Sequence, residues 1–160
     1  MWSLSCPVAH SLSNTDFLRH HARCLLRLAH ADNTATALPV LRRLNATQSA
    51  AQSATQSATQ KRTLTLGALY ETRATIQLKH VLNMIAVELG YAGWDACKQS
   101  VEREDSAFID RYRFDAGLFN DHETLWFAGI EAARDWQREQ GGYIVEYGDQ
   151  AVAILWCEVA

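Results

Sequence analysis

The sequence predicts an α+β fold: a mainly helical N-terminal region, about 13–105, followed by a small antiparallel sheet with one helix, about 108–160. Three observations carry this. Apolar residues recur at helical spacing through the first two thirds of the chain. Runs rich in aromatic and β-branched residues appear only after Asp105. Near the end, Gly148 and Asp149 separate two apolar runs as a hairpin turn does.

The first helix is predicted over 15–31. Asn14 or Thr15 can cap it, and Asp16 suits the positive end of its dipole. Leu18, Ala22, Leu25 and Ala29 share one face, while Arg19, Arg23, Arg27 and His30 form a basic stripe on another. Asp32-Asn33-Thr34 breaks this helix. A second starts near Thr36, tolerates Pro39 in its first turn and offers Val40, Leu41 and Leu44 to the core. It runs on into residues 46–60, with the rest of that stretch as a loop; this is an uncharged A-(T/A)-Q-S repeat that has no large apolar group to bury and carries no assigned chemistry.

A short helix or turn is expected over 64–73. In the next helix Leu78, Val81, Leu82, Ile85 and Leu89 form a continuous apolar stripe. Gly90 ends it as a C′ residue, Tyr91 and Trp94 pack the corner, and a helix follows over about 93–103. Strands are predicted in 111–120 and 124–128, a helix over 130–140, and a hairpin of 143–147 with 151–159. The run AVAILWC is apolar without alternation, which predicts burial on both faces, as a central strand or under a subunit interface.

Composition narrows the function. Hydrophobic residues make up 48% and charged residues 21%, the balance of a globular protein. Residues 1–80 hold nine Lys/Arg against three acids, and residues 81–160 six against fifteen. The split fits either a basic binding surface or mutual attraction of the halves, within one chain or between subunits. The four cysteines are scattered, which argues against a zinc site and fits a reducing cytoplasm. The N-terminus has neither the basic region nor the apolar run of a signal peptide, and no stretch is long and apolar enough to span a membrane. A cytoplasmic protein without membrane partners is expected.

Phosphate-cradling glycine loops, the nucleophile elbow and the H-E-x-x-H zinc motif are all missing, so no catalytic residue, metal or cofactor is assigned. Asp115, Asp121, His122 and Glu123 could do general acid–base work or hold a divalent cation, but Asn120-Asp121 reads first as a turn. His20 and His21 diverge on their helix. Cys97, in an apolar helix, reads as inert, and the five tryptophans read as core.

The corner at 85–102 has the spacing of a helix-turn-helix, yet its second helix carries Asp95 and Glu102 beside Lys98. Such a helix loses the counterion release that drives phosphate binding. It reads as a packing corner. The stretch LKHVLNMIAVELGYAGWDACK is similar to a helical G-(F/Y)-x-x-W-x-x-x-K module of uncharacterised bacterial proteins, sometimes found ahead of ankyrin repeats. Ala86, Gly90, Tyr91, Trp94 and Lys98 match, and Cys97 replaces the usual Leu. WFAGIEAARDWQREQGGYIVEYGDQ also resembles a segment of such proteins. The resemblance implies a bacterial accessory protein and no assigned activity.

The leading expectation is therefore a non-catalytic protein acting by protein–protein contact, with self-association through the C-terminal strand. One alternative is a nucleic-acid-binding regulator using Arg19, Arg23, Arg27, Arg42 and Arg43. Another is a ligand binder or enzyme with a pocket between the two regions, bordered by His122, Tyr143 and Tyr147.

Overall fold

The structure, a computed structural model, describes residues 1–9, 11–54 and 65–159. It divides into a unit of Thr15–Arg103 and a unit formed by Met1–Asn14 together with Glu104–Ala160.

In the helical unit, α1 (Asn14–Ala29) buries Leu18, Ala22, Leu25 and Ala29, the face its spacing predicts. The Thr15 N–H donates to the Glu102 carboxylate at 2.5 Å, so an acid 87 residues away caps its first turn. α2 (Thr34–Ala54) starts earlier than expected because the Asn33 side chain accepts the Ala35 N–H at 2.9 Å. Pro39 consequently lies inside the helix rather than in its first turn. Ala37, Val40, Leu41 and Leu44 form the buried face of α2. The helix reaches Ala54, while the rest of the repeat lies outside the described residues.

α3 (Leu66–Glu71) and a 3₁₀ turn lead to α4 (Leu78–Glu88), whose Val81, Leu82, Ile85 and Ala86 are buried. Arg43 of α2 donates to the Glu88 carboxylate of α4 through Nε and Nη2, at 2.9 and 2.7 Å. Gly90, at φ +92°, stops α4 with a paired C-cap: Gly90 N–H donates to the Val87 carbonyl and Tyr91 N–H to the Ala86 carbonyl. α5 (Trp94–Ser100) begins at once, and its first N–H donates to Asn83 Oδ1 at 2.9 Å.

The second unit holds α6 (Asp110–Asp115), β1 (Glu123–Phe127), α7 (Ile130–Gln140), β2 (Tyr143–Tyr147) and β3 (Gln150–Leu155). The sheet order is β1-β3-β2, with both neighbours antiparallel to β3. β1 and β2 thus run parallel, joined through α7 and split by β3. The register aligns Trp126, Val152 and Val145 on one face and Leu125, Ala153 and Ile144 on the other. Phe119 joins Val145, Val152 and Ile154 in a core on the first face. On the other, Trp136 of α7 packs against Phe127, with ring centres 5.7 Å apart.

Two expectations change here. Residues 111–120 are not a strand: α6 is followed by turns, with Gly117 at φ +83°. Asp105 caps the preceding turn, and Asp110 and Arg113 pair at helical spacing. The apolar run Ala151–Ile154 is fully buried because β3 is paired along both edges within its own chain. It needs no subunit interface to explain it, so self-association through that strand loses its support.

The N-terminal segment belongs to this unit. Trp2 N–H donates to the Gln140 carbonyl at 2.9 Å, and Ser3 N–H to the Trp156 carbonyl at 2.9 Å. Ser3 and Ser5 hydroxyls both reach Glu158. Gly141, at φ +79° and ψ −153°, lies under this strap, where an added Cβ would collide with the Trp2 carbonyl oxygen. Gly141→Ala should therefore lose about 1–3 kcal/mol from its backbone conformation alone and release the strap. Urea unfolding measures the first effect and limited proteolysis near Ser5 the second. Wild-type stability with a protected N-terminus would refute this reading.

Candidate functional site

The most demanding chemistry lies where α6 meets the sheet. Asp110 is 1% exposed and Arg113 2%. Arg113 Nη1 donates to Asp110 Oδ1 at 2.9 Å and to the Ser106 carbonyl at 2.5 Å, while the Tyr143 hydroxyl donates to Asp110 Oδ2. Both oxygens of a carboxylate removed from water are thus engaged, as a buried charge requires. Burial raises the Tyr143 phenol well above its ordinary value, and its bond to Asp110 adds to the shift. Tyr143 therefore remains a proton donor to Asp110.

Cys6 packs against the same core. Burial pushes its thiol up, and the Asp110 charge reinforces the effect. In the other unit, burial raises Cys97 to about 11. Neither thiol has the depressed pKa that favours nucleophilic attack at neutral pH. His80 accepts the Gln77 N–H through Nδ1 at 2.9 Å at the start of α4.

Beside the buried pair lies an aromatic patch. Phe114, one turn after Asp110, meets Trp126 of β1 and Tyr147 of β2 edge to face, with centres 5.4 and 5.7 Å apart. Trp126 and Tyr147 are also edge to face at 5.6 Å. The Arg111 guanidinium lies 5.8 Å from the Tyr147 ring and 5.1 Å from that of Tyr112. Trp126 is 45% exposed and Leu125 38%. This overturns the reading of the tryptophans as core: none of the five is buried.

The other candidate residues are dispersed. Tyr143 and Tyr147 share a face of β2, but their hydroxyls are taken by Asp110 and Asp115. His122 lies in the turn before β1, its ring 6.4 Å from Trp156. Asp121 and Glu123 are exposed, and no metal-holding group of His, Cys, Asp and Glu occurs among the described residues. His20 is exposed, whereas His21 is buried and stacked on Phe17.

Of the five candidate arginines, Arg43 is bound to Glu88. Arg19 pairs with Asp16 at 3.6 Å and approaches Trp94. Arg23, Arg27 and Arg42 are exposed. At the α4–α5 corner, Lys79, Leu82, Asn83 and Trp94 line an open cleft of about 530 Å³. α5 is seven residues long and buries Cys97, which fits a packing corner.

Sequence reasoning missed Asp110, Arg111, Arg113 and Phe114. The available signal was the i, i+3 acid–base pair Asp110/Arg113, which has meaning only on a helix. No family model, curated protein or solved structure matches the chain.

The raised Tyr143 pKa sets a sign for alkaline stability. The unfolded chain releases the phenolic proton near pH 10 while the folded one retains it, so stability is fully present below that pH and falls above it. Tyr143→Phe should flatten that fall. At neutral pH it should cost about 1–3 kcal/mol, because Asp110 loses a buried donor. Urea midpoints between pH 7 and 11 check both; equal alkaline slopes in the two proteins would contradict the assignment.

Proposed function

We propose that this chain is a non-catalytic bacterial accessory protein of the cytoplasm that works by binding another protein. The observation that carries the reading is the exposed Trp126, with the half-buried Phe114, Tyr147 and Arg111 grouped around it. Trp, Tyr and Arg dominate the binding energy of protein interfaces. These residues are already ordered by one another, which lowers the entropy cost of docking.

Two features support the absence of catalysis. Asp110, Arg113 and Tyr143 bond to one another, and burial raises the pKa of the Cys6 and Cys97 thiols. No helix among the described residues is long and apolar enough to cross a membrane. The bacterial setting rests on the resemblance of the Gly90–Trp94 corner.

The test compares partner recovery by the wild-type chain, Trp126→Ala and the distant surface variant Arg138→Ala. Arg138 pairs with Asp135 on α7 and is exposed. The reading predicts partners lost about tenfold with Trp126→Ala, as removal of a hot-spot residue produces, and retained with Arg138→Ala. Equal recovery by all three would overturn it.

A further inference from the structure

We infer that the outer edge of β1 is a strand-addition site for an extended basic segment of another protein. The inference rests on the interface reading above and specifies the partner.

The sheet has two outer strands, and they differ. Along β2, Tyr143, Ile144 and Tyr147 are half-buried and Val145 is buried. Glu146 is paired with Arg134 at 3.4 Å, and the Trp2 strap occupies the approach at Gly141. In β1, Glu123, Thr124, Leu125 and Trp126 are all exposed. No hydrogen bond among the described residues reaches the outer backbone of β1.

Proteins usually blunt such an edge with proline, a bulge or a lysine. β1 lacks all three, its one charged residue being Glu123 at its start: its sequence is ETLWF, and its register with β3 is unbroken from Glu123↔Leu155 to Phe127↔Ala151. An open, regular edge flanked by apolar side chains is the geometry that accepts an added strand.

Charge selects the occupant. This unit holds four Lys/Arg and twelve Asp/Glu, a net charge of −8. Arg113, Arg134 and Arg138 are each paired with an acid. Asp121 precedes the edge, Glu123 begins it and Glu131 follows it, all exposed. A second copy would bring the same charge to the same edge, with both Asp121–Glu123 pairs beside the junction. A strand alternating Lys or Arg with apolar residues can set its basic side chains on the face of Glu123 and its apolar ones on the face of Trp126.

The experiment uses the full chain and a fluorescein-labelled synthetic peptide that alternates lysine and valine over seven residues. Its controls are the same peptide N-methylated at alternate residues and a version with glutamate for lysine. The expected results are saturable binding that weakens as salt rises, an affinity loss of about tenfold on N-methylation and a similar loss with Trp126→Ala. Amide exchange should slow at 123–127 and not at 143–147. Equal binding of the methylated and unmethylated peptides would overturn strand addition while leaving the patch as an interface. Absence of peptide binding with Trp126-dependent partner recovery intact would overturn the basic occupant alone. Concentration-dependent pairing of the chain through β1 would assign the edge to a second copy and overturn the proposal. Loss of Trp126-dependent recovery altogether would instead remove the interface reading.

Discussion

The buried ion pair of Asp110 and Arg113 is the constraint around which the C-terminal unit is arranged. Taking both charges out of water is costly, and the cost is offset by the bonds to Arg113 Nη1 and to both Asp110 oxygens. Arg113 reaches back to Ser106, and Asp110 reaches across to Tyr143 on β2. The pair therefore fixes α6 against the sheet at one rotation. Phe114 follows one turn later and is set onto Trp126 and Tyr147 by that rotation. The aromatic patch is a consequence of the polar network beneath it.

The asymmetry of the sheet follows from its connectivity. β3 enters between β1 and β2, so the most apolar strand is shielded along both edges and both faces. β2 is covered by α6 and its approach by the N-terminal strap, whereas β1 has no such neighbour on its outer side among the described residues. The one open edge coincides with the exposed tryptophan and with flanking acids. Open backbone, aromatic anchor and charge together favour recognition by contact over chemistry on a substrate.

Much of the helical unit was legible in the sequence because local rules govern it. The Leu18–Ala29 face, the Gly90 stop and the Gly148 turn each depend on a few neighbouring residues. What could not be read depends on distance. Arg43 looked like part of a basic surface until Glu88, 45 residues away, was found against it. Trp126 looked like core because aromatic residues usually are; its exposure comes from β1 being the outer strand, a matter of strand order. Residues 111–120 mimicked a strand through Tyr112, Phe114 and Phe119, although the Asp110–Arg113 spacing belongs to a helix. The charge split was visible at once, but its meaning needed the sheet edge to give it a place.

The most direct test of the central claim is a double-mutant cycle on Asp110→Ala and Arg113→Met, read by urea unfolding. Each single change leaves a buried charge without its partner and should cost about 3–5 kcal/mol. The double change removes both charges and should cost well under the sum, giving a coupling above about 2 kcal/mol. Losses that add within about 0.5 kcal/mol would mean that the two residues act independently. In that case the ion pair would not be the interaction on which the unit depends.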